Sequence, residues 1–81
     1  MKNELILYVG KNCHLCEQAM TLLTPILETG DFSLRKIDIA TDVSLKASYG
    51  QRIPLLLLPN GIEKGWPFNM IQVEKLLMQP N

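Results

Sequence analysis

The spacing of apolar positions changes period along the chain, and the changes mark the elements. Leu5-Ile6-Leu7-Tyr8-Val9 is a continuous apolar run closed by Gly10, which predicts a strand buried on both faces. From about residue 13 to residue 29 the spacing becomes three and four. Leu15, Ala19, Leu22, Leu23, Ile26 and Leu27 then form the apolar stripe of a helix. Pro25 falls inside that pattern, where its missing N–H and its ring predict a kink, and Gly30 supplies a stop. Phe32, Leu34, Ile37 and Ile39 alternate imperfectly and predict a second strand over 32–39. Thr41-Asp42 offers a cap for a short helix through about Tyr49, closed by Gly50. After Pro54, residues 55–58 read as a third strand. Pro59-Asn60-Gly61 is a turn signal and 62–64 a short fourth strand, so these two form a hairpin. Asn69 caps a last helix that turns Met70, Ile71, Val73, Leu76 and Leu77 to the core and ends near Gln79-Pro80. The order is β-α-β-α-β-β-α, and its opening strand–helix–strand unit predicts a right-handed crossover with a parallel pair.

Composition narrows the classes. The 81 residues contain no repeat, linker or low-complexity segment, so 1–81 reads as a single domain. A chain of this length buries about 60–65% of its unfolded surface, which demands a small, dense core. Hydrophobic content of 47% is ordinary for a globular protein and excludes disorder. Eight basic and eight acidic residues give a formal net charge of zero, with no basic block, so no nucleic-acid partner is expected. No apolar run approaches the roughly 20 residues that span a bilayer, so no membrane role is expected either. Met1-Lys2-Asn3-Glu4 leads straight into the first strand without the apolar core or cleavage site of a signal peptide. The expectation is a cytoplasmic monomer. In that reducing compartment, paired cysteines point to redox or metal chemistry more than to a structural staple.

The chemistry concentrates in Lys11-Asn12-Cys13-His14-Leu15-Cys16. Its two cysteines are the only ones in the chain, and they sit where the first strand gives way to the first helix. Residues three apart share a helix face, roughly 5–6 Å apart at Cβ. A disulfide wants about 3.8 Å, a gap that a first turn can close. Such a pair can therefore join or stay open. A helix start presents unpaired N–H groups and partial positive charge, which favour a thiolate, the nucleophilic form. Lys11 and, when protonated, His14 act in the same sense. Cys16, one turn further in, should be more buried. Cys13 is then the attacking thiol and Cys16 the one that resolves the mixed disulfide.

Three motifs in order carry a resemblance: Cys13-His14-Leu15-Cys16, then Tyr49-Gly50-Gln51-Arg52-Ile53-Pro54, then Trp66-Pro67-Phe68. Together with the element order they resemble the thioredoxin-like fold, and within it small bacterial glutaredoxin-like proteins, over nearly the whole chain. The resemblance implies an α/β fold with a four-stranded mixed sheet, order 2-1-3-4, and helices on both faces. It implies a thiol–disulfide oxidoreductase that reduces protein or small-molecule disulfides through Cys13 and Cys16. A cis peptide at Ile53-Pro54 beside the cysteines is implied as well, with the Ile53 backbone pairing with bound peptide or glutathione. The implied partners are a disulfide-containing protein or a glutathione mixed disulfide, and a reductase as electron donor. No cofactor would be tightly bound, with glutathione as a possible reductant. Two departures stand out. Better-known glutaredoxins carry Cys-Pro-Tyr-Cys, and they hold the glutathione amine with acidic residues that follow a glycine pair near the last helix. Here that region reads Gly65-Trp66-Pro67-Phe68-Asn69, and Asn69 is neutral.

Around the cysteines, each candidate has a plainer alternative. His14, the only histidine, either tunes Cys13 electrostatically or is a solvated residue of the first turn. Lys11 and Arg52 either hold a substrate carboxylate or are surface charges. Trp66 and Phe68 read as core residues that pin the last helix, with a rim contact open to Trp66, and Tyr8 as a residue of the sheet. The alternative to an enzyme is a thioredoxin-like module that binds metal or a partner without turnover. Cys13, His14 and Cys16 offer soft ligands to such a metal, although a closed zinc site wants four.

Overall fold

The computed structural model describes residues 3–78. Four strands form one sheet: β1 (Glu4–Val9), β2 (Ser33–Asp38), β3 (Leu55–Leu57) and β4 (Glu63–Gly65). Three helices accompany them: α1 (His14–Glu28), α2 (Val43–Tyr49) and α3 (Met70–Leu77). The sheet order is β2-β1-β3-β4. β1 runs parallel to β2, with Glu4 opposite Ser33 and Val9 opposite Asp38. β3 is antiparallel to β1, with Tyr8 opposite Leu55, and β4 is antiparallel to β3. This is the thioredoxin-like α/β fold.

β1 lies inside the sheet, and its unbroken apolar run serves two cores through the period-two alternation of strand side chains. Leu5 and Leu7 enter the larger core with Ala19, Leu23 and Ile26 of α1, Leu56, Leu58, Phe68, and Val73 of α3. Ile6 and Tyr8 point the other way, where Tyr8, Ile39 and Leu55 form a smaller core partly covered by Leu45 and Tyr49 of α2. Fully burying a leucine contributes about 1.5–3 kcal/mol. Leu5, Leu7, Leu23 and Leu56 are all fully buried on the larger side.

Element ends follow capping chemistry. β2 stops at Asp38, short of the expected Ile39, because the Asp38 carboxylate accepts from the Ala40 N–H at 2.8 Å and starts a 3-10 turn over Ile39–Thr41. Asp42 then caps α2 by accepting from the N–H groups of Ser44 (2.8 Å) and Leu45 (3.2 Å). Asn69 caps α3 in a reciprocal box. Its Oδ1 accepts from the Gln72 N–H at 2.8 Å, and its own N–H donates to Gln72 Oε1 at 3.1 Å. α3 ends at Leu77; the expected end near Gln79-Pro80 lies outside the described residues. α1 runs unbroken through Pro25.

Two residues of the expected stripes face outward. Leu15 is 45% exposed and Ile71 65% exposed. The buried face of α1 is centred on Cys16, Ala19, Leu23 and Ile26, so Leu15 falls one position off it. On α3 the inward row is Met70, Val73, Leu76 and Leu77, and Ile71 stands beside it.

Candidate functional site

Gly10, Lys11 and Asn12 carry the chain from β1 into α1 in a tight turn. Asn12 adopts a positive φ of 52°, a conformation asparagine tolerates better than most residues. Cys13 follows in extended conformation as the N-cap of α1, and its Sγ accepts a hydrogen bond from the Cys16 N–H at 3.1 Å. Cys13 and Cys16 are joined as a disulfide with Cα atoms 5.2 Å apart, within the usual range for such bonds. The sulfurs are not equivalent in environment. Cys16 is 5% exposed at the head of the buried face of α1, whereas Cys13 is half-buried. Any reagent arriving from solvent meets Cys13 first.

The second motif is built against this turn. The peptide Ile53-Pro54 is cis. The Ile53 side chain packs directly over Gly10, so that a Cβ placed on Gly10 would lie 2.6 Å from Ile53 Cδ1. Glycine at position 10 thus lets the proline loop approach the turn that holds Cys13. Among the described residues no hydrogen bond uses the Ile53 backbone. Pro54 is buried, and its carbonyl accepts from the Trp66 N–H at 3.1 Å, which ties the third motif to the second. Trp66-Pro67 is also cis. Trp66 is half-buried and meets the buried Phe68 edge to face, with centroids 5.1 Å apart.

The charged candidates separate. Lys11 and His14 are both exposed on the turn and first helical residue around Cys13. Arg52 is drawn elsewhere. Its guanidinium lies 3.4 Å from Glu63 Oε1 and 5.5 Å from the centroid of the Tyr49 ring. The Tyr49 hydroxyl donates to the other Glu63 oxygen at 2.9 Å, and its ring stacks on Tyr8 with centroids 4.5 Å apart. That hydrogen bond raises the Tyr49 phenol above its ordinary value of 10.0, with smaller contributions from burial and the Glu63 charge; Arg52 opposes them. Asn69, too, is occupied, its amide oxygen and N–H both used in the α3 cap.

Beside the disulfide, a groove of about 660 Å³ runs along α1 against Trp66 and Met70. Its α1 wall is the row His14, Gln18, Thr21 and Pro25, together with Glu17 and Leu22. The 4-3-4 spacing of that row is a helix face in its own right, legible in the sequence but masked by the stronger apolar stripe next to it. Of this lining the sequence singles out His14 as a site candidate and Trp66 as a rim contact; the rest of the wall carries no sequence signal beyond that spacing. Among the described residues no cluster of three or more His, Cys, Asp or Glu side chains is placed to hold a metal ion.

A cysteine pair at the start of the first helix, faced by a cis-proline loop on a β2-β1-β3-β4 sheet, defines the thioredoxin-like class. Residues 4–78 match the family model described as glutaredoxin-like domain (DUF836), and the chain belongs to that family. Among solved structures it is similar to the target protein XcR50 from X. campestris, at 37% identity and a TM-score of 0.75, covering 90% of this chain and 93% of that one. It is also similar to protein Ne2328 from Nitrosomonas europaea, at 25% identity and a TM-score of 0.76, covering 98% and 94%. A malarial protein at 16% identity and a TM-score of 0.72 shares the fold. No curated protein matches the chain. Among the described residues no helix is long and apolar enough to cross a membrane.

Proposed function

We propose that this protein is a cytoplasmic thiol–disulfide oxidoreductase working through Cys13 and Cys16. The observation that carries the reading is the asymmetric pair at the head of α1: an accessible Cys13 whose sulfur receives the Cys16 N–H, and a buried Cys16 within bonding reach. A backbone N–H aimed at Sγ stabilises negative charge there. In the reduced protein the Cys13 thiolate attacks one sulfur of a substrate disulfide R–S–S–R′. A bond forms between Cys13 and R–S, and R′–S⁻ leaves and takes a proton. Cys16 gives its proton to solvent and attacks Cys13 Sγ, R–S⁻ leaves and takes a proton, and the Cys13–Cys16 disulfide closes. The substrate gains two electrons and two protons. Two glutathione thiols, or one dithiol of a reductase, return them to the protein.

Lys11 supplies positive charge beside the attacking sulfur, with His14 next to it in the chain, while the free backbone of Ile53 offers a strand-like edge to the incoming chain. The neutral overall charge suits a monomer that meets protein or small-molecule disulfides rather than nucleic acid or a lipid surface.

The test is turnover on bis(2-hydroxyethyl) disulfide with either glutathione or a thioredoxin-reductase-type flavoprotein as donor, alongside thiol titration. Expected are reversible loss of two thiols within one monomer and catalytic turnover with at least one donor. Stoichiometric zinc or iron in the purified protein, with no turnover from either donor, would replace this reading by the metal-binding one.

A further inference from the structure

We propose that the groove along α1, between the redox pair and Pro25, receives an extended, neutral-to-basic polypeptide segment flanking the substrate disulfide. This names the substrate class of the site proposed above and rests on that reading. Four observations carry it. The groove starts at His14, the residue that follows Cys13 in the chain, so a segment bonded to Cys13 starts next to it in sequence. From residue 14 to residue 25 the helix wall is about 16 Å long, at about 1.5 Å per residue. That accommodates roughly five residues of extended chain at about 3.3 Å each, more than a tripeptide such as glutathione supplies.

The wall also presents an open backbone acceptor. Pro25 has no N–H, so the carbonyl of Thr21, four residues earlier, has no helix donor. Both residues line the groove and both are exposed. An extended peptide has a free N–H to give; a helix does not. The last observation is charge. Besides His14, the only ionisable lining group is the Glu17 carboxylate, set among Leu22, Pro25, Trp66 and Met70. Glutathione brings two carboxylates to a site where Arg52 pairs with Glu63 and Asn69 Oδ1 is used in a helix cap, which leaves Lys11 as the lysine beside Cys13 to meet both. An apolar segment carrying a lysine fits better.

Trp66 is the only tryptophan in the chain and lines the groove, so its fluorescence reads occupancy without any turnover. The oxidised protein is titrated with a capped, cysteine-free decapeptide of Val, Ala and Ser with two Lys, with the same peptide carrying Glu for Lys, and with glutathione. Expected is a saturable Trp66 response to the Lys peptide, at least ten-fold weaker for the Glu peptide and for glutathione. Thr21→Arg, an exposed and helix-compatible change that fills the groove, weakens the Lys peptide at least ten-fold, whereas Lys36→Ala on β2 does not. No saturable response, equal or tighter binding of glutathione, or unchanged binding by Thr21→Arg overturns the proposal. Reduction of bis(2-hydroxyethyl) disulfide by the same preparation reports separately on the oxidoreductase reading, so the two can fail independently.

Discussion

The two faces of the sheet are built to different standards. On the α1–α3 face, nine buried residues form a continuous core, and α1 alone contributes Ala19, Leu23 and Ile26 to it. On the α2 face three of the described residues, Tyr8, Ile39 and Leu55, form the buried core, and α2 contributes none of them. What holds α2 there is the stack of half-buried Tyr49 on buried Tyr8, together with the exposed Tyr49–Glu63 hydrogen bond and Arg52–Glu63 pair. The cysteine pair belongs to the better-packed side, with Cys16 buried at the head of the face that α1 buries. Reactive sulfurs need a fixed geometry, and a dense core supplies it. The polar cluster opposite resembles a site by residue type, yet its groups are satisfied by one another.

The sharpest way to break this contrast is at the sulfurs. Under the proposed mechanism Cys13→Ser abolishes disulfide reduction, because a hydroxyl without a partner base is a poor nucleophile. Cys16→Ser still attacks but cannot release its product internally, so a mixed disulfide accumulates and is visible by mass spectrometry. An unmodified Cys16→Ser protein after incubation with a disulfide contradicts the division of labour. Persistence of the adduct in excess glutathione is the expected outcome, since Asn69 is engaged in the α3 cap and Arg52 by Glu63.

Next in size is the core itself. Leu23→Ala removes a fully buried side chain between helix and sheet and should cost about 2–5 kcal/mol. Leu45→Ala, on the half-buried inner side of α2, should cost only about 1 kcal/mol, at ~0.8 kcal/mol per buried methylene with burial incomplete. Urea midpoints with unchanged slopes provide the comparison. Equal losses would show that the α2 face is as firmly packed as the other.

What the sequence disclosed follows the range of the interactions involved. The element order, the helix start at Cys13 and the Asp42 and Asn69 caps rest on contacts within a few residues, and local pattern records them. The sheet order and the cis peptide at Ile53-Pro54 came through family resemblance, because nothing local to those residues dictates them. The fate of Arg52 was hidden because its partner Glu63 lies eleven residues on, across the β3–β4 turn. The groove was hidden for a related reason. Its floor joins α1 to Trp66 and Met70, and only the folded chain brings those together.

A mid-sized effect is expected at the start of α3. Asn69→Ala removes the acceptor for the Gln72 N–H and leaves the reciprocal bond unsupported. Loss of such a cap costs about 0.5–2 kcal/mol. Asn69→Asp should retain the cap, since a carboxylate also accepts there and its charge favours a helix start. It would also restore an acidic group near the place where better-known glutaredoxins hold the glutathione amine. If Asn69→Asp speeds glutathione-dependent turnover, the neutral residue at 69 is what weakens glutathione as a donor. If stability is kept and turnover is unchanged, the charge at this position is irrelevant.

The smallest effect tests the α2 face alone. Tyr49→Phe keeps the ring stacked on Tyr8 and deletes only the hydroxyl that donates to Glu63. At neutral pH the expected loss is about 0.2–1 kcal/mol, the scale of exposed polar pairs. Its pH dependence is fixed in sign. Only the protonated phenol can donate, so folding raises the Tyr49 value above the 10.0 of the free side chain. The folded protein therefore holds this proton more tightly than the unfolded chain does. The stabilisation is fully present below about pH 10 and is lost as pH rises through the folded-state value. The stability gap between wild type and Tyr49→Phe should accordingly be constant from pH 7 to about 9 and narrow above about 10. Paired urea titrations near neutral pH and above about pH 10 measure it. A gap that widens with alkalinity would mean the hydroxyl is not serving as a donor to Glu63, and that α2 is held by stacking and packing alone.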